Sequence, residues 1–211
     1  MRKLMIPALL LAAAACSNPE DPSNTQETNT AASASVNGLA TAGSFATIAD
    51  ERERALALFS EIGKVVQHPR CVNCHPRGDR PLQGDAGIPH QPHVVRGDGG
   101  IGVSALRCTT CHGAENYANV PGHDVWFLAP ADMAWEDKSL AEICEQIKDP
   151  TRNGDRTLAD VADHMANDEL VGYGWRPPEH LEPAPGDQAT LGELVGAWIE
   201  AGAHCPDPGD A

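Results

Sequence analysis

Large aromatic side chains are scarce in this chain: three Phe, two Tyr and four Trp serve 211 residues. So few leave a thin core for the length, and something besides protein is expected to supply apolar volume. Basic residues are scarce as well. Fifteen Lys and Arg stand against 30 Asp and Glu, a formal net charge of −15. That balance argues against nucleic acid, whose phosphates demand a cationic face. It favours solubility and a partner protein with a basic docking surface. Catalytic signatures are missing too: there is no Ser-His-Asp order, no nucleophile elbow and no phosphate-binding loop. The apolar run from Leu4 to Ala15 is too short to span a bilayer.

That run follows Met1-Arg2-Lys3 and ends at Cys16-Ser17. A short charged region, an apolar stretch and small residues before a break read as a secretory signal over residues 1–15. Ala13-Ala14-Ala15-Cys16 resembles a bacterial lipoprotein box, with Ala13 where leucine is usual. Cys16 is then the expected lipidation site, anchoring the protein to a membrane without spanning it. Ordinary cleavage near Ala15 would instead leave a free thiol. The expected location is periplasmic, lipid-anchored, in a Gram-negative bacterium. Losing Arg2 and Lys3 with the signal brings the net charge to −17. Residues 16–49, rich in Ser, Thr, Asn, Ala and Pro, read as a flexible tether. Residues 50–205 then form the folded domain and 206–211 a tail.

Two stretches carry chemistry: Cys71-Val72-Asn73-Cys74-His75 and Cys108-Thr109-Thr110-Cys111-His112. Both are C-x-x-C-H, the pattern of covalent c-type haem attachment. Two thiols three residues apart on a helical turn reach the two vinyl groups on one porphyrin edge, and the next imidazole swings under the iron. A structural zinc held by all four thiolates is a competing reading. However, 33 residues separate Cys74 from Cys108, longer than the usual zinc-ribbon gap, and zinc gives no reason for a histidine after each pair. Thiol–disulfide exchange is another, but nothing here reads as a βαβ unit. Seven cysteines thus divide into one lipid site, four thioethers and a remaining pair, Cys144 and Cys205. Export permits a disulfide between these two, and two free buried thiols are the alternative.

Four helices are expected. Asp50 with Glu53 caps the first, with Ala55, Leu58, Phe59, Ile62, Val65 and Val66 on one face and Pro69 as its stop. Ser139 with Glu142 opens a second, which Pro150 ends. Thr157 with Asp160 opens a third, with Leu158, Val161 and Met165 on its apolar stripe. The last carries Leu191, Leu194, Val195, Trp198 and Ile199. The Gly-, Pro- and Asp-rich stretch between the two motifs reads as loop that wraps a haem, and Arg77, Arg80 or Arg96 could bind a propionate there.

These motifs and helices make the chain resemble a dihaem cytochrome c. More narrowly, Arg70 to Pro76, Arg80 to Asp85, Arg107 to His112 and Met133-Ala134-Trp135 resemble short exported dihaem proteins, the cytochrome subunits of isoquinoline 1-oxidoreductases. The resemblance implies an all-α class: cytochrome c-like helices packed around two covalently bound haem c groups, the last helix crossing the first, with long irregular loops. It implies a carrier passing electrons from a dehydrogenase, such as a molybdenum hydroxylase, to the respiratory chain. The chain itself has no molybdopterin signature and is not expected to be an enzyme. A dihaem peroxidase or a haem-based sensor is the alternative. His75 and His112 are the expected proximal ligands. For the sixth positions the candidates are Met133, His164 (preferred to its neighbour Met165) and His93 (preferred to His90 for the first haem). A methionine opposite histidine would raise the potential and leave no place for substrate.

Overall fold

The computed structural model describes residues 35–209. The expected signal, the Cys16 lipid site and residues 16–34 of the expected tether lie outside the described residues.

The chain enters through a hairpin, β1 (Ser35–Val36) and β2 (Leu39–Ala40). Helix α1 (Glu51–Val66) starts where the Asp50 carboxylate accepts the Glu53 N–H at 2.8 Å. After one turn comes α2 (Pro69–Val72). Its first N–H groups are partly satisfied by His68, whose Nδ1 accepts from Arg70 N–H, and Pro69 suits a first-turn position that needs no donor. Two further hairpins follow, β3 (Leu82–Gln83) with β4 (Ile88–Pro89), and β5 (Gly102–Val103) with β6 (Leu106–Arg107).

The second half is helical: α3 (Leu140–Lys148), the single turn α4 (Pro150–Asn153), α5 (Leu158–Asn167), the single turn α6 (Glu169–Gly172) and α7 (Gln188–Glu200). Reciprocal capping boxes, Ser139 with Glu142 and Thr157 with Asp160, fix the starts of α3 and α5 as the spacing predicts. Pro150 ends α3 but also begins α4, where its missing N–H costs nothing.

The core lies where α1, α3, α5 and α7 meet. Leu58, Phe59, Ile62 and Val66 of α1 are almost wholly buried, as are Leu191, Leu194, Val195 and Trp198 of α7. Each such side chain contributes about 1.5–3 kcal/mol on burial. The Phe59 and Trp198 rings, 4.9 Å apart, fasten α1 to α7, so the first and last helices pack together as expected. The Cys144–Cys205 disulfide, its Cα atoms 5.7 Å apart, ties α3 to the segment after α7. Closing 61 residues of chain contributes roughly 4 kcal/mol in the loop-entropy picture.

Two expectations need correction. The class is not all-α: three two-stranded antiparallel hairpins accompany the helices, giving a mixed helix and small-sheet fold. Strands of two residues carry no apolar alternation, so the stretch between the motifs reads as plain loop in sequence. The fold also begins before residue 50. Leu39 is fully buried, Ala40 N–H donates to the buried Glu61 carboxylate at 2.7 Å, and Gly186 N–H donates to Asn37 O.

Helix α5 rests on α7 with little room to spare, because Gly192 faces Ala166. Helix propensity alone would favour Gly192→Ala by about 1 kcal/mol. The added methyl would sit 2.5 Å from Ala166 Cβ, so the clash wins. Gly192→Ala is expected to destabilise the protein by about 1–3 kcal/mol in urea unfolding. An unchanged or raised midpoint would show that α5 has freedom to shift.

Candidate functional site

Both C-x-x-C-H stretches form a turn of helix or 3-10 helix, and each lies against a cavity. In the first, Cys74 N–H donates to Cys71 O and His75 N–H to Val72 O, continuing the turn begun by α2. In the second, Cys111 and His112 N–H both donate to Cys108 O, just after β6. All four cysteines are free thiols.

The two histidines are held alike although their surroundings differ in sequence. His75 Nδ1 lies 2.7 Å from the Met133 carbonyl, and its ring stacks on Trp135 at 3.6 Å with 6° between the planes. His112 Nδ1 lies 2.7 Å from the Pro121 carbonyl, and its ring stacks on Trp126 at 4.3 Å, again at 6°. A carbonyl can only accept, so each Nδ1 carries the proton and each Nε2 keeps its lone pair. Burial lowers the His75 pKa to about 4, with His164 and Arg96 adding to the effect and the Met133 bond opposing it. His112 shifts in the same direction for the same first reason. Both rings are therefore neutral donors of an electron pair at pH 7.

The first cavity, about 140 Å³, lies between the Cys71–His75 turn and α5. The second, about 460 Å³, lies between the Cys108–His112 turn and the β3–β4 hairpin. The second falls within the roughly 300–1,000 Å³ of ordinary small-molecule sites, and the first is smaller. Arg70, Cys74 and Tyr173 line both, so the two cavities share a wall. Arg70 is buried and donates to Asp85 at 2.6 Å, yet its Nε has no partner. Tyr173 meets Trp126 edge-on at 5.0 Å.

The other residues singled out in the sequence fall in different places. His164, on α5, lines the first cavity, and its Nδ1 lies 3.2 Å from the Asp168 carboxylate. Met165 lines it as well but belongs to the apolar core of Val161 and Leu191. Met133 supplies its backbone carbonyl to the rear nitrogen of His75, and its side chain is buried beside that ring. His93 is exposed and borders neither cavity, whereas His90, three residues earlier, borders the second. The neighbouring valines misdirect the sequence reading, because Val94 and Val95 turn inward without taking His93 with them.

The three arginines expected at an anion do other work. Arg80 donates through Nε and Nη2 to the His90 carbonyl, at 3.0 and 2.6 Å. Arg96 is buried and donates to the carbonyls of Ala129, Pro76 and Gly78, while Arg77 pairs with Asp137 on the surface. Trp126 comes to the site through irregular chain and Tyr173 through a single 3-10 turn after α6, so neither position carries a sequence signal.

Among the described residues, no helix is long and apolar enough to cross a membrane, and no three His, Cys, Asp or Glu side chains cluster as a site for a bare metal ion. No family model, curated protein or solved structure matches the chain.

Burial pushes the Cys71 thiol up to about 12, with Cys74 beside it adding to the shift. Burial likewise raises Cys74 to about 11, with Arg70 opposing and the approach of Cys108 adding. Only the thiolate is a nucleophile. In folded chain with free thiols at pH 8, exposed Cys111 is therefore expected to react with iodoacetamide well before Cys71 and Cys74. Peptide mass mapping checks this, and equal rates at all three would contradict the burial.

Proposed function

We propose that the protein is an exported dihaem cytochrome that carries electrons. One haem c would be joined to Cys71 and Cys74 with His75 as proximal iron ligand, and the other to Cys108 and Cys111 with His112. The observation that carries this reading is the repeated site: two C-x-x-C-H turns, each with a carbonyl on Nδ1, an indole stacked on the ring and Nε2 left free. Fixing one imidazole nitrogen by a hydrogen bond, so that the other meets the metal in one orientation, is how protein sites tune such ligands.

The residues present suit the group. Each cavity is walled largely by apolar side chains and opens beside two free thiols. The unpartnered Arg70 Nε in the shared wall is a buried donor in need of an acceptor, which a propionate would provide. A bound haem supplies a one-electron iron couple. The protein's own part is to exclude water, hold both proximal rings neutral and set the two sites side by side through Arg70, Cys74 and Tyr173. That adjacency supports passage of one electron at a time from site to site. The acidic surface supports docking to a basic face of a redox partner. In this reading the donor is a dehydrogenase, with a molybdenum hydroxylase one such class, and the acceptor belongs to the respiratory chain. The signal-like residues 1–15 and Cys16 support a periplasmic protein tethered by lipid.

Intact mass of the exported protein is expected to exceed the polypeptide by two haem groups. The Cys108→Ala/Cys111→Ala variant should lose one of them and keep the other. A polypeptide mass with no porphyrin adduct would overturn the proposal.

A further inference from the structure

Resting on that reading, we infer that both irons take histidine as sixth ligand, His164 in the first site and His90 in the second. Neither assignment follows from position in the chain. Both follow from which rings line each cavity and where their δ nitrogens are held.

The second site shows it most directly. The His90 and His112 ring centroids lie 6.0 Å apart with 52° between the planes. An iron bonded at about 2 Å to the ε nitrogen of each ring would place the ring centres roughly 6 Å apart. The separation is too long for a hydrogen bond between the rings, and none joins them. Each ring has already bound its δ nitrogen elsewhere, His112 to Pro121 O at 2.7 Å and His90 to Pro92 O at 3.0 Å. Both carbonyls engage Nδ1, so the two rings oppose each other with only Nε2 uncommitted. The backbone holds His90 there firmly. Its N–H donates to Pro81 O, and its carbonyl receives both Arg80 bonds. The β3–β4 hairpin, which the sequence does not disclose, is thus the element that presents this ligand. His180 also borders the cavity but is exposed.

In the first site, His164 on α5 lines the same cavity as His75. Asp168 Oδ2 holds His164 Nδ1, while its Oδ1 caps α6 through Leu170 and Val171 N–H. A carboxylate anchored in this way fixes the ring and leaves Nε2 toward the cavity. Met133 cannot serve. A residue whose carbonyl grips the rear nitrogen of His75 cannot also place its sulfur in front of the ring's ε nitrogen.

Imidazole on both faces closes both irons to small ligands and holds the potentials below those of histidine–methionine sites. The test uses the full-length exported protein. Wild type with both haems is expected to be wholly low-spin and to bind no carbon monoxide when reduced. His90→Gly and His164→Gly should each keep both covalent haems by mass, become high-spin at one site and bind one carbon monoxide per chain. Added imidazole should restore the low-spin spectrum in each. His93→Ala, His180→Ala, Met133→Leu and Met165→Leu should stay low-spin. Carbon monoxide binding by wild type, an unchanged spectrum in either glycine variant, or loss of low spin in Met133→Leu or Met165→Leu would overturn the assignment while leaving the two haems in place. Absence of haem from wild type would instead remove the functional reading itself.

Discussion

An imidazole ring has two nitrogens, and four of the histidines that line the cavities have the δ nitrogen committed to the protein. Met133 O, Pro121 O and Pro92 O accept from His75, His112 and His90, and the Asp168 carboxylate holds His164. Each bond decides which nitrogen faces a cavity and in what orientation. The rest of the architecture serves that decision. Helix α2 aims His75, the turn after β6 aims His112, the β3–β4 hairpin aims His90, and α5 aims His164. Loosening one such bond would let a ring turn edge-on and lose its direction without altering the helical core.

The helical core and the cavities divide the scarce aromatic residues between them. Phe59 and Trp198 join α1 to α7, whereas Trp135, Trp126 and Tyr173 gather at the cavities. Two indoles set flat against two imidazoles cover a face that would otherwise need aliphatic packing, and they leave the opposite side open. The thin core inferred from composition is therefore localised. The helices pack tightly, down to Gly192 against Ala166, and the missing volume lies around the two C-x-x-C-H turns.

Where a short local signal determines structure, the sequence discloses it. Asp50 with Glu53, Ser139 with Glu142 and Thr157 with Asp160 each satisfy backbone donors within one turn, and the helices begin where those pairs say. Cysteine arithmetic likewise finds Cys144 and Cys205. The hairpins are hidden because two-residue strands have no period, and with them goes the class: an all-α expectation fails on elements too short to read. The choice between His90 and His93 is hidden for another reason. Local hydrophobicity favours the residue beside Val94 and Val95, yet the clamp from Arg80 ten positions upstream decides the matter. Met133 shows the same limit, since a backbone carbonyl contributes to the site and no side-chain reasoning can anticipate it. The start of the fold before residue 50 rests on Leu39, the one fully buried residue of 35–49.

The wall of Arg70, Cys74 and Tyr173 common to both cavities has a thermodynamic consequence. Charge gained on one side is felt on the other through a largely buried partition that solvent screens poorly. In the proposed reading, the first electron to arrive would disfavour the second. Two intrinsically similar centres would then titrate as two separate waves belonging to the pair, and neither wave could be assigned to a single site. A substitution at Tyr173 would displace both waves together, so the protein cannot adjust one centre without disturbing its neighbour.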